Sequence, residues 1–334
     1  GAFVATTAYA ADITGAGASF PYPVYAKWAE GYKAATGTGL NYQSIGSGGG
    51  INQITNRTVD FGASDAPLSA DKLQEAKLLQ FPTVMGSVVP IVNLPGVQDN
   101  QLRLTPEVLV DLFLGRIARW NDPKLAELNR DARLPNVPVA PVYRADASGT
   151  TFVFTTYLSR VSDAWKSGPG AATSVQWPGG QGARGNEGVA NTVRNTPGAI
   201  GYTGASNAKS AQLATVSLKN RAGEFVAPDA ASFAKAAEAG DWSAPGFVVE
   251  MVDLDAPGAW PIVTPTSILM PSNPEADKVA ASRNTMKFFD WAFKNAGGAT
   301  AELGFIPLPS SLHAPIQQAW RRVKGPDGQP VWEA

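Results

Sequence analysis

The sequence contains no cysteine and a single histidine, His313. The missing cysteines exclude disulfide bonds, a thiol nucleophile and any cysteine-ligated metal. Charged residues make up only 16% of the chain, and 27 basic residues nearly balance 28 acidic ones, which leaves a formal net charge of −1. Because the basic footprint of nucleic-acid-binding proteins is missing, no nucleic-acid partner is expected. An anionic ligand would have to be held by local dipoles and by individual cations.

The sequence also lacks an apolar run of the roughly 18 residues that a membrane-spanning helix needs. Its apolar N-terminus instead ends in Ala8-Tyr9-Ala10, the small-residue pattern of a signal-peptide cleavage site. The pattern predicts that residues 1–10 are the remnant of a signal peptide and that the mature chain begins near Ala11. The protein would then be exported and would be soluble after cleavage. An ordinary N-terminal arm is the alternative.

Glycine and proline are plentiful, with 34 and 26 residues, and 44% of the chain is hydrophobic. This composition is typical of a compact α/β protein with many tight turns. Val24, Trp28 and Tyr32 recur every fourth residue after Pro21, which predicts a helix. Strands are predicted near residues 40–45, 59–63, 84–94, 137–143, 199–202 and 262–270, a late helix near 286–293 and a glycine-rich loop over 177–188.

Three loops share one plan, in which a strand ends, small residues follow and a helix begins. They span residues 15–21, 46–50 and 146–150 and contain Ser19, Ser47 and Ser148. A helix start offers unpaired N–H groups and partial positive charge, and glycine lets a ligand approach the backbone. Each serine alone could simply be an N-cap, which is the role to prefer for any single one of them. Together the loops favour an anion site, and the missing Gly-Lys-Ser/Thr pattern disfavours nucleotide binding.

Charged residues accompany these loops. The guanidinium of Arg144 could grip a tetrahedral oxyanion through two parallel hydrogen bonds. Asp146 could fix the guanidinium plane, or the two residues could form a surface ion pair of little energetic value. Asp65 would repel a fully deprotonated anion but can accept a hydrogen bond from an oxyanion that keeps a proton. It could also be only an Asx-turn residue ahead of Pro67.

Four segments carry a resemblance to a known family: residues 14–21 (TGAGASFP), 59–65 (VDFGASD), 144–150 (RADASGT) and 197–202 (PGAIGY). Over residues 12–325 the chain resembles the periplasmic phosphate-binding proteins of bacterial phosphate ABC importers. The resemblance implies an α/β fold of the type II periplasmic-binding-protein class, with two lobes joined by two crossover strands. Lobe I would combine residues 11–92 and 259–334, lobe II would span 93–258, and the crossings would lie near 90–95 and 255–262.

The same resemblance implies that the chain captures inorganic phosphate and delivers it to the membrane permease subunits of a phosphate ABC transporter. A monomer without cofactor, metal or enzymatic activity is expected. Asp65 would accept the phosphate proton, Arg144 would make the ionic contact, and Asp146 would orient Arg144. The implied phosphate-binding residues are Ser19, Phe20 (through its N–H), Ser47, Asp65, Arg144, Ser148, Gly149 and Thr150.

The sequence departs from the family pattern at two places. Ser19 stands where many members have threonine, which keeps the hydroxyl and removes only a methyl group. Ala147 and Gly48 stand where glycine and serine, respectively, are frequent. A positive φ at Ala147 would strain the third loop.

Three other functions stay open. A phosphoester hydrolase usually needs metal ligands or an activated nucleophile, and His313 has neither a second histidine nor a cysteine to work with. A receptor for sulfate or molybdate would gain nothing from Asp65, because those dianions carry no proton at neutral pH. A structural or adhesive role has no repeat or surface pattern in its favour.

Overall fold

The computed structural model describes residue 2 and residues 12–333. The cleavage pattern of the predicted signal-peptide remnant lies outside the described residues, so that interpretation stays a prediction. The described strands are β1 (Ile13–Gly17), β2 (Leu40–Ser44), β3 (Phe61–Ser64), β4 (Leu78–Val92), β5 (Arg103–Leu104), β6 (Ala140–Arg144), β7 (Gln181–Ala183), β8 (Ala199–Gly204), β9 (Ala214–Thr215), β10 (Ser217–Lys219), β11 (Phe225–Val226) and β12 (Val263–Pro271).

Helices lie between these strands and after the last of them, as the alternating pattern predicts. The described α-helices are α1 (Tyr22–Thr36), α2 (Ser47–Thr55), α3 (Ala70–Ala76), α4 (Pro106–Leu114), α5 (Pro123–Leu128), α6 (Gly149–Val161), α7 (Asp163–Ser167), α8 (Gly185–Arg194), α9 (Ala205–Ser210), α10 (Ala230–Ala239), α11 (Val279–Asn295), α12 (Gly297–Glu302) and α13 (His313–Trp320). Short 3₁₀ helices cover Pro245–Phe247, Ala276–Lys278 and Ser310–Leu312. Within residues 12–333, no helix combines the length and the apolar character of a membrane span.

The main sheet has the strand order β2-β1-β3-β12-β4-β8-β6-β7. In one half, β1 pairs in parallel with β2 and β3, and in the other, β6 pairs in parallel with β7 and β8. The antiparallel strands β12 and β4 join the two halves. β9 pairs with β4, and β5, β10 and β11 form a separate sheet. Each half therefore presents the carboxyl ends of parallel strands, where α/β proteins commonly bind ligands.

Strand β4 passes from one half of the sheet into the other. Its residues 78–87 pair with β12, whereas residues 88–92 pair with β8. The sequence predicted this strand only from residue 84, because Gln80 and Thr83 interrupt the apolar pattern. Both are buried and satisfied, since Gln80 accepts from the N–H of Leu68 at 2.9 Å and Thr83 shares a hydrogen bond with Tyr25 at 2.6 Å. Buried apolar side chains form a continuous cluster that extends through both halves of the sheet. The predicted lobe boundaries, at residues 92/93 and 258/259, stay a prediction.

Two predicted loops are wrong in part, because packing overrides local propensity. Residues 47–50 belong to α2 although three of them are glycines, which are poor helix formers. A β-carbon on Gly50 would lie 2.5 Å from Gly17 Cα, so the helix can approach β1 only with glycine there. The predicted loop 177–188 contains β7 and the beginning of α8.

Candidate anion-binding site

The starts of two helices, one from each half of the sheet, meet at one place. α2 begins at Ser47 and α6 begins at Gly149. The N–H of Gly48 donates to the carbonyl of Ala147 at 3.1 Å. A β-carbon built on Gly149 would lie 2.3 Å from Ser47 Oγ and 2.6 Å from Asp65 Cβ. The second and third predicted loops are therefore in direct contact, and the contact requires glycine at position 149.

Asp65 lies at the end of β3 and is 2% exposed. Its N–H donates to Ser47 Oγ at 3.1 Å. The turn that follows is made by Ser64, whose Oγ accepts from the N–H of Ala66 at 3.0 Å, so Asp65 is not needed as an Asx-turn residue. Asp65 Oδ1 accepts from Thr266 Oγ1 at 2.5 Å, whereas Oδ2 is buried and has no hydrogen-bond partner among the described residues. A buried acceptor in this condition is costly unless a ligand donates to it.

The electrostatic surroundings of this carboxyl group favour its protonated form. Burial raises the pKa of Asp65 to about 7, although the hydrogen bond from Thr266 and the charge of Arg144 both lower it. The cause is the loss of hydration of the carboxylate, which disfavours the charged form. At neutral pH the group can therefore share a proton with a bound partner.

Arg144 ends β6, and its side chain is 2% exposed. Its backbone N–H donates to the Tyr202 hydroxyl at 3.0 Å. The guanidinium donates from Nε and Nη2 to Asp146 Oδ1 and Oδ2 at 2.7 and 2.6 Å. Burial tends to raise the pKa of Asp146, but Arg144 and the N–H of Gly185 hold it below its ordinary value. The pair is thus an oriented, buried ion pair and not a surface one.

The Arg144–Asp146 pair lies against the start of α2. A β-carbon built on Gly46 would lie 2.7 Å from Asp146 Oδ2 and 3.5 Å from Arg144 Nη2. Gly46 also has a φ of 90°, in the region that favours glycine. The ion pair from one half of the sheet therefore reaches the helix start of the other half.

The third predicted loop forms the N-terminus of the 13-residue helix α6. Ser148 is its N-cap, with Oγ accepting from the N–H of Thr151 at 3.0 Å. Ser148, Gly149 and Thr150 are all buried. The first N–H groups of a helix have no carbonyl within the helix to bind, and they carry the positive end of its dipole. This helix start is suited to an anion.

The first predicted loop joins the cluster through a side chain of α8. Ser19 does not cap α1, which has no side-chain cap. Its Oγ instead accepts from the N–H and the Nδ2 of Asn186 at 3.0 and 2.8 Å. The same Nδ2 donates to Thr150 Oγ1 at 3.1 Å. Phe20 follows with its ring edge-on to Phe305 at 6.0 Å, which anchors the loop in the core.

Sequence reasoning missed two residues of this cluster. Asn186 lies in the segment predicted to be a loop, although β7, a glycine and a helix start repeat the plan of the other three loops. Thr266 lies within a predicted strand, 201 residues from its partner Asp65, and no local pattern marks it. The structure thus brings together all the sequence-predicted site residues and adds two.

The cluster offers helix-start N–H groups, hydroxyl groups and one guanidinium, together with a single buried carboxylate oxygen that lacks a partner. Donors arranged in this way suit an oxyanion, and the carboxylate suits one that keeps a proton. Among residues 12–333, no three His, Asp or Glu side chains lie together as a metal site would require.

Comparison with known proteins assigns the chain to a family. Residues 4–296 match the family model described as the PBP superfamily domain. The "Phosphate-binding protein PstS" of Pasteurella multocida is 49% identical over 331 residues, which cover 98% of this chain and 96% of that protein. The protein of the same name from Haemophilus influenzae is 47% identical over 315 residues, 94% of each chain. The chain belongs to the PstS family of phosphate-binding proteins.

Solved structures agree with this assignment at the level of the fold. A high-affinity periplasmic phosphate-binding protein (PfluDING), bound with phosphate, has a TM-score of 0.71 at 23% identity, over 92% of this chain and 93% of that one. The phosphate-binding protein from Stenotrophomonas maltophilia has a TM-score of 0.69 at 20% identity, over 91% and 92%. The predicted α/β fold of the two-lobed periplasmic-binding class is confirmed.

The departures from the PstS pattern have a physical explanation at one pair of positions. Ala147 has a negative φ, so the strain considered for the third loop is absent. A β-carbon built on Gly48 would lie 2.4 Å from Ala147 Cβ. Only one of the two positions can carry a side chain at this distance. Glycine at position 48 therefore makes room for the methyl group at position 147.

Proposed function

We propose that this PstS-family protein captures inorganic phosphate between its two lobes and delivers it to the permease subunits of a phosphate ABC transporter. The chain matches its curated relatives over nearly their whole length, and those relatives are named phosphate-binding proteins. The observation that carries the proposal is the buried Oδ2 of Asp65, which has no hydrogen-bond partner among the described residues although it lies in a cluster rich in donors. A monoprotonated phosphate would supply the missing hydrogen.

The proposed binding mode divides the four oxygens of hydrogen phosphate into one donor and three acceptors. The P–OH group donates to Asp65, and the remaining oxygens accept from Arg144 and from the starts of α2 and α6. Asp146 holds the guanidinium plane of Arg144. Part of the conformational entropy that Arg144 would lose on binding is therefore already lost before the ligand arrives. The proposed phosphate-binding residues are Ser19, Phe20, Ser47, Asp65, Arg144, Ser148, Gly149 and Thr150.

The same arrangement disfavours sulfate. Sulfate is also a tetrahedral dianion, but it has no proton to place between its oxygen and the carboxylate of Asp65. While Asp65 is ionised, two acceptors would then face each other in a buried site, which costs several kcal/mol, on the order of a thousandfold in affinity. Because burial raises the pKa of Asp65 to about 7, this preference for phosphate should be strongest above pH 7. Phosphate is therefore the better ligand on the charge pattern alone.

We further propose that lobe I combines residues 11–92 and 259–334 and that lobe II spans residues 93–258. Ser19, Ser47 and Asp65 then face Arg144 and the start of α6 across the cleft. The direct contact of Gly48 with Ala147 supports a closed arrangement of the lobes. We place the protein in the periplasm as a monomer without a cofactor, exported by a signal peptide that is cleaved before Ala11.

Hydrolysis of a phosphate ester has less support. His313, the single histidine, lies at the start of α13 with its ring stacked on Phe293 at 5.2 Å. Burial lowers the pKa of His313 and Lys294 adds to this effect, against the charge of Asp290, which raises it. Its contacts belong to the helical layer of α11 and α13, and the named relatives are binding proteins.

A calorimetric titration of the phosphate-stripped protein with phosphate, sulfate and arsenate tests the proposal. We expect saturable binding of one phosphate per chain and much weaker binding of sulfate. An assay with a phosphate monoester should show no turnover. If phosphate gives no saturable heat under conditions where the protein is folded, the proposed function is wrong.

A further inference from the structure

Asn186, in a segment that the sequence predicted to be a loop, makes several hydrogen bonds within the cluster. It lies in the first turn of α8 and is 1% exposed. Its Nδ2 donates to Ser19 Oγ at 2.8 Å and to Thr150 Oγ1 at 3.1 Å. Its Oδ1 accepts from Thr203 Oγ1 and from the N–H of Gly204, both at 3.0 Å. One amide group therefore donates to two of the proposed phosphate-binding residues, and its oxygen is fixed by hydrogen bonds from Thr203 and Gly204.

The contacts on the far side fix which end of the amide faces the site. The backbone N–H of Gly204 can only donate, so the atom that it contacts must be the carbonyl oxygen of Asn186. The opposite end is then the NH₂ group, which can only donate. Asn186 is thus committed to donating to both hydroxyl groups.

These donations determine the direction of the hydroxyl hydrogens. A hydroxyl group has one hydrogen to donate and two lone pairs with which to accept. Ser19 Oγ accepts twice, from the N–H and the Nδ2 of Asn186, so both lone pairs are used and its remaining capacity is one donation. Thr150 Oγ1 accepts from the same NH₂ group, so its hydrogen points away from Asn186.

We propose that Asn186 is a positioning residue that makes Ser19 an obligate donor toward the bound anion, turns the Thr150 hydroxyl hydrogen away from itself, and ties the two lobes together in the closed state. The inference rests on the proposed function and deepens it. Because Ser19 Oγ has no lone pair left with which to accept from the ligand, the P–OH group of hydrogen phosphate is directed away from Ser19 and toward Asp65. Asn186 thereby contributes to the choice of anion without touching the anion itself.

The first test replaces Asn186 in the whole protein. In Asn186→Asp, the carboxylate still accepts from Gly204 but can no longer donate, so the Ser19 and Thr150 hydroxyl groups turn toward it and a negative charge is added. We expect a loss of phosphate affinity of at least about 100-fold by calorimetry, and of about 10- to 100-fold for Asn186→Ala. Asn191→Asp is the matched control, because it adds the same charge to the exposed side of the same helix and should leave affinity within about twofold.

A double-mutant cycle separates this role from a merely structural one. If Asn186 acts through the Ser19 hydroxyl, Asn186→Ala and Ser19→Ala should be strongly non-additive in phosphate affinity. Asn186→Ala and Ser47→Ala should be closer to additive, since no hydrogen bond joins Asn186 to Ser47 among the described residues. Thermal melting without phosphate identifies variants that fail to fold. The cycle is then completed with Ser19→Ala and whichever Asn186 variant folds, Asn186→Ala or Asn186→Asp.

The outcomes are distinct. Additivity of Asn186→Ala with Ser19→Ala, or a folded Asn186→Asp protein that binds phosphate within twofold of wild type, would overturn the role of Asn186. A wild-type protein that does not bind phosphate would instead refute the proposed function itself, before any variant is compared.

Discussion

Arg144 donates from Nε and Nη2 to the two carboxylate oxygens of Asp146 at 2.7 and 2.6 Å, two residues further along the chain. This fork fixes the guanidinium plane and leaves Nη1 outside the ion pair. Such planar, two-point pairing is a property of arginine that lysine cannot reproduce. The charge that the site needs is therefore held in a defined orientation by a partner on the same loop.

Replacement of Arg144 by alanine should weaken phosphate binding strongly while the fold is kept. Truncation of one partner of a buried charge pair typically costs about 2–5 kcal/mol, and lysine should restore only part of it. Calorimetry and thermal melting measure the two effects separately. Arg194→Ala, an exposed arginine at the end of α8, is the control. Phosphate binding by Arg144→Ala within a factor of two of wild type would remove Arg144 from the site.

Asp65→Asn should make the site less selective for phosphate over sulfate. The amide can present N–H to an oxyanion, so sulfate no longer meets a second acceptor, and phosphate loses a charge-assisted hydrogen bond. Competitive titration of wild type and Asp65→Asn at neutral pH and fixed ionic strength gives the selectivity ratio directly. If the variant discriminates against sulfate as strongly as wild type does, Asp65 does not select the ligand through a hydrogen bond from its P–OH group.

The raised pKa of Asp65 also predicts a pH-dependent stability of the phosphate-free protein. Burial raises the pKa from 3.8 to about 7 on folding, so between these values the folded state binds the extra proton. The contribution of Asp65 to the free energy of unfolding is therefore greatest below about pH 4 and decreases as the pH rises toward 7. Relative to Asp65→Asn, wild type should lose about 2–3 kcal/mol between pH 5 and pH 8 in urea unfolding. Parallel pH profiles for the two proteins would contradict this shift, since all other titrating groups are shared.

Positions 48 and 147 should behave as a size-coupled pair. Gly48→Ser places a β-carbon 2.4 Å from Ala147 Cβ, so the contact between the two loops must open. We expect a loss of about 1–3 kcal/mol in the free energy of phosphate binding, as for other overpacked sites. Adding Ala147→Gly removes the clash and should restore affinity. A Gly48→Ser protein with unchanged affinity would show that the two loops are not in contact in the bound state.

The sequence predicted the helix starts of the site because their determinants are local. A strand followed by small residues and a helix marks the loops of Ser47 and Ser148, and Arg144 with Asp146 lies within one of these loops. Strand β4 was recognised in its mostly apolar part from Val84 onward but not at Gln80 and Thr83. Those two polar residues are buried only because Leu68 and Tyr25 satisfy them from elsewhere in the fold.

The residues that sequence reasoning missed depend on contacts between distant segments. Thr266 contacts Asp65 across 201 residues of chain, and Asn186 contacts Ser19 across 167. The helical state of Gly48 likewise follows from the close approach of α2 to β1 and to the third loop, not from glycine's own preference. Local patterns therefore indicated the residues of the proposed anion site, whereas tertiary packing determined which further side chains orient them.

A crystal structure of the phosphate complex at high resolution is the most direct measurement. We predict a tetrahedral anion between the starts of α2 and α6, with one oxygen within about 2.7 Å of Asp65 Oδ2, the short distance of a charge-assisted O–H···O bond. The guanidinium of Arg144, still paired with Asp146, should donate to another oxygen of the anion. A phosphate bound elsewhere, or one that leaves Asp65 Oδ2 without contact, would contradict the proposed site.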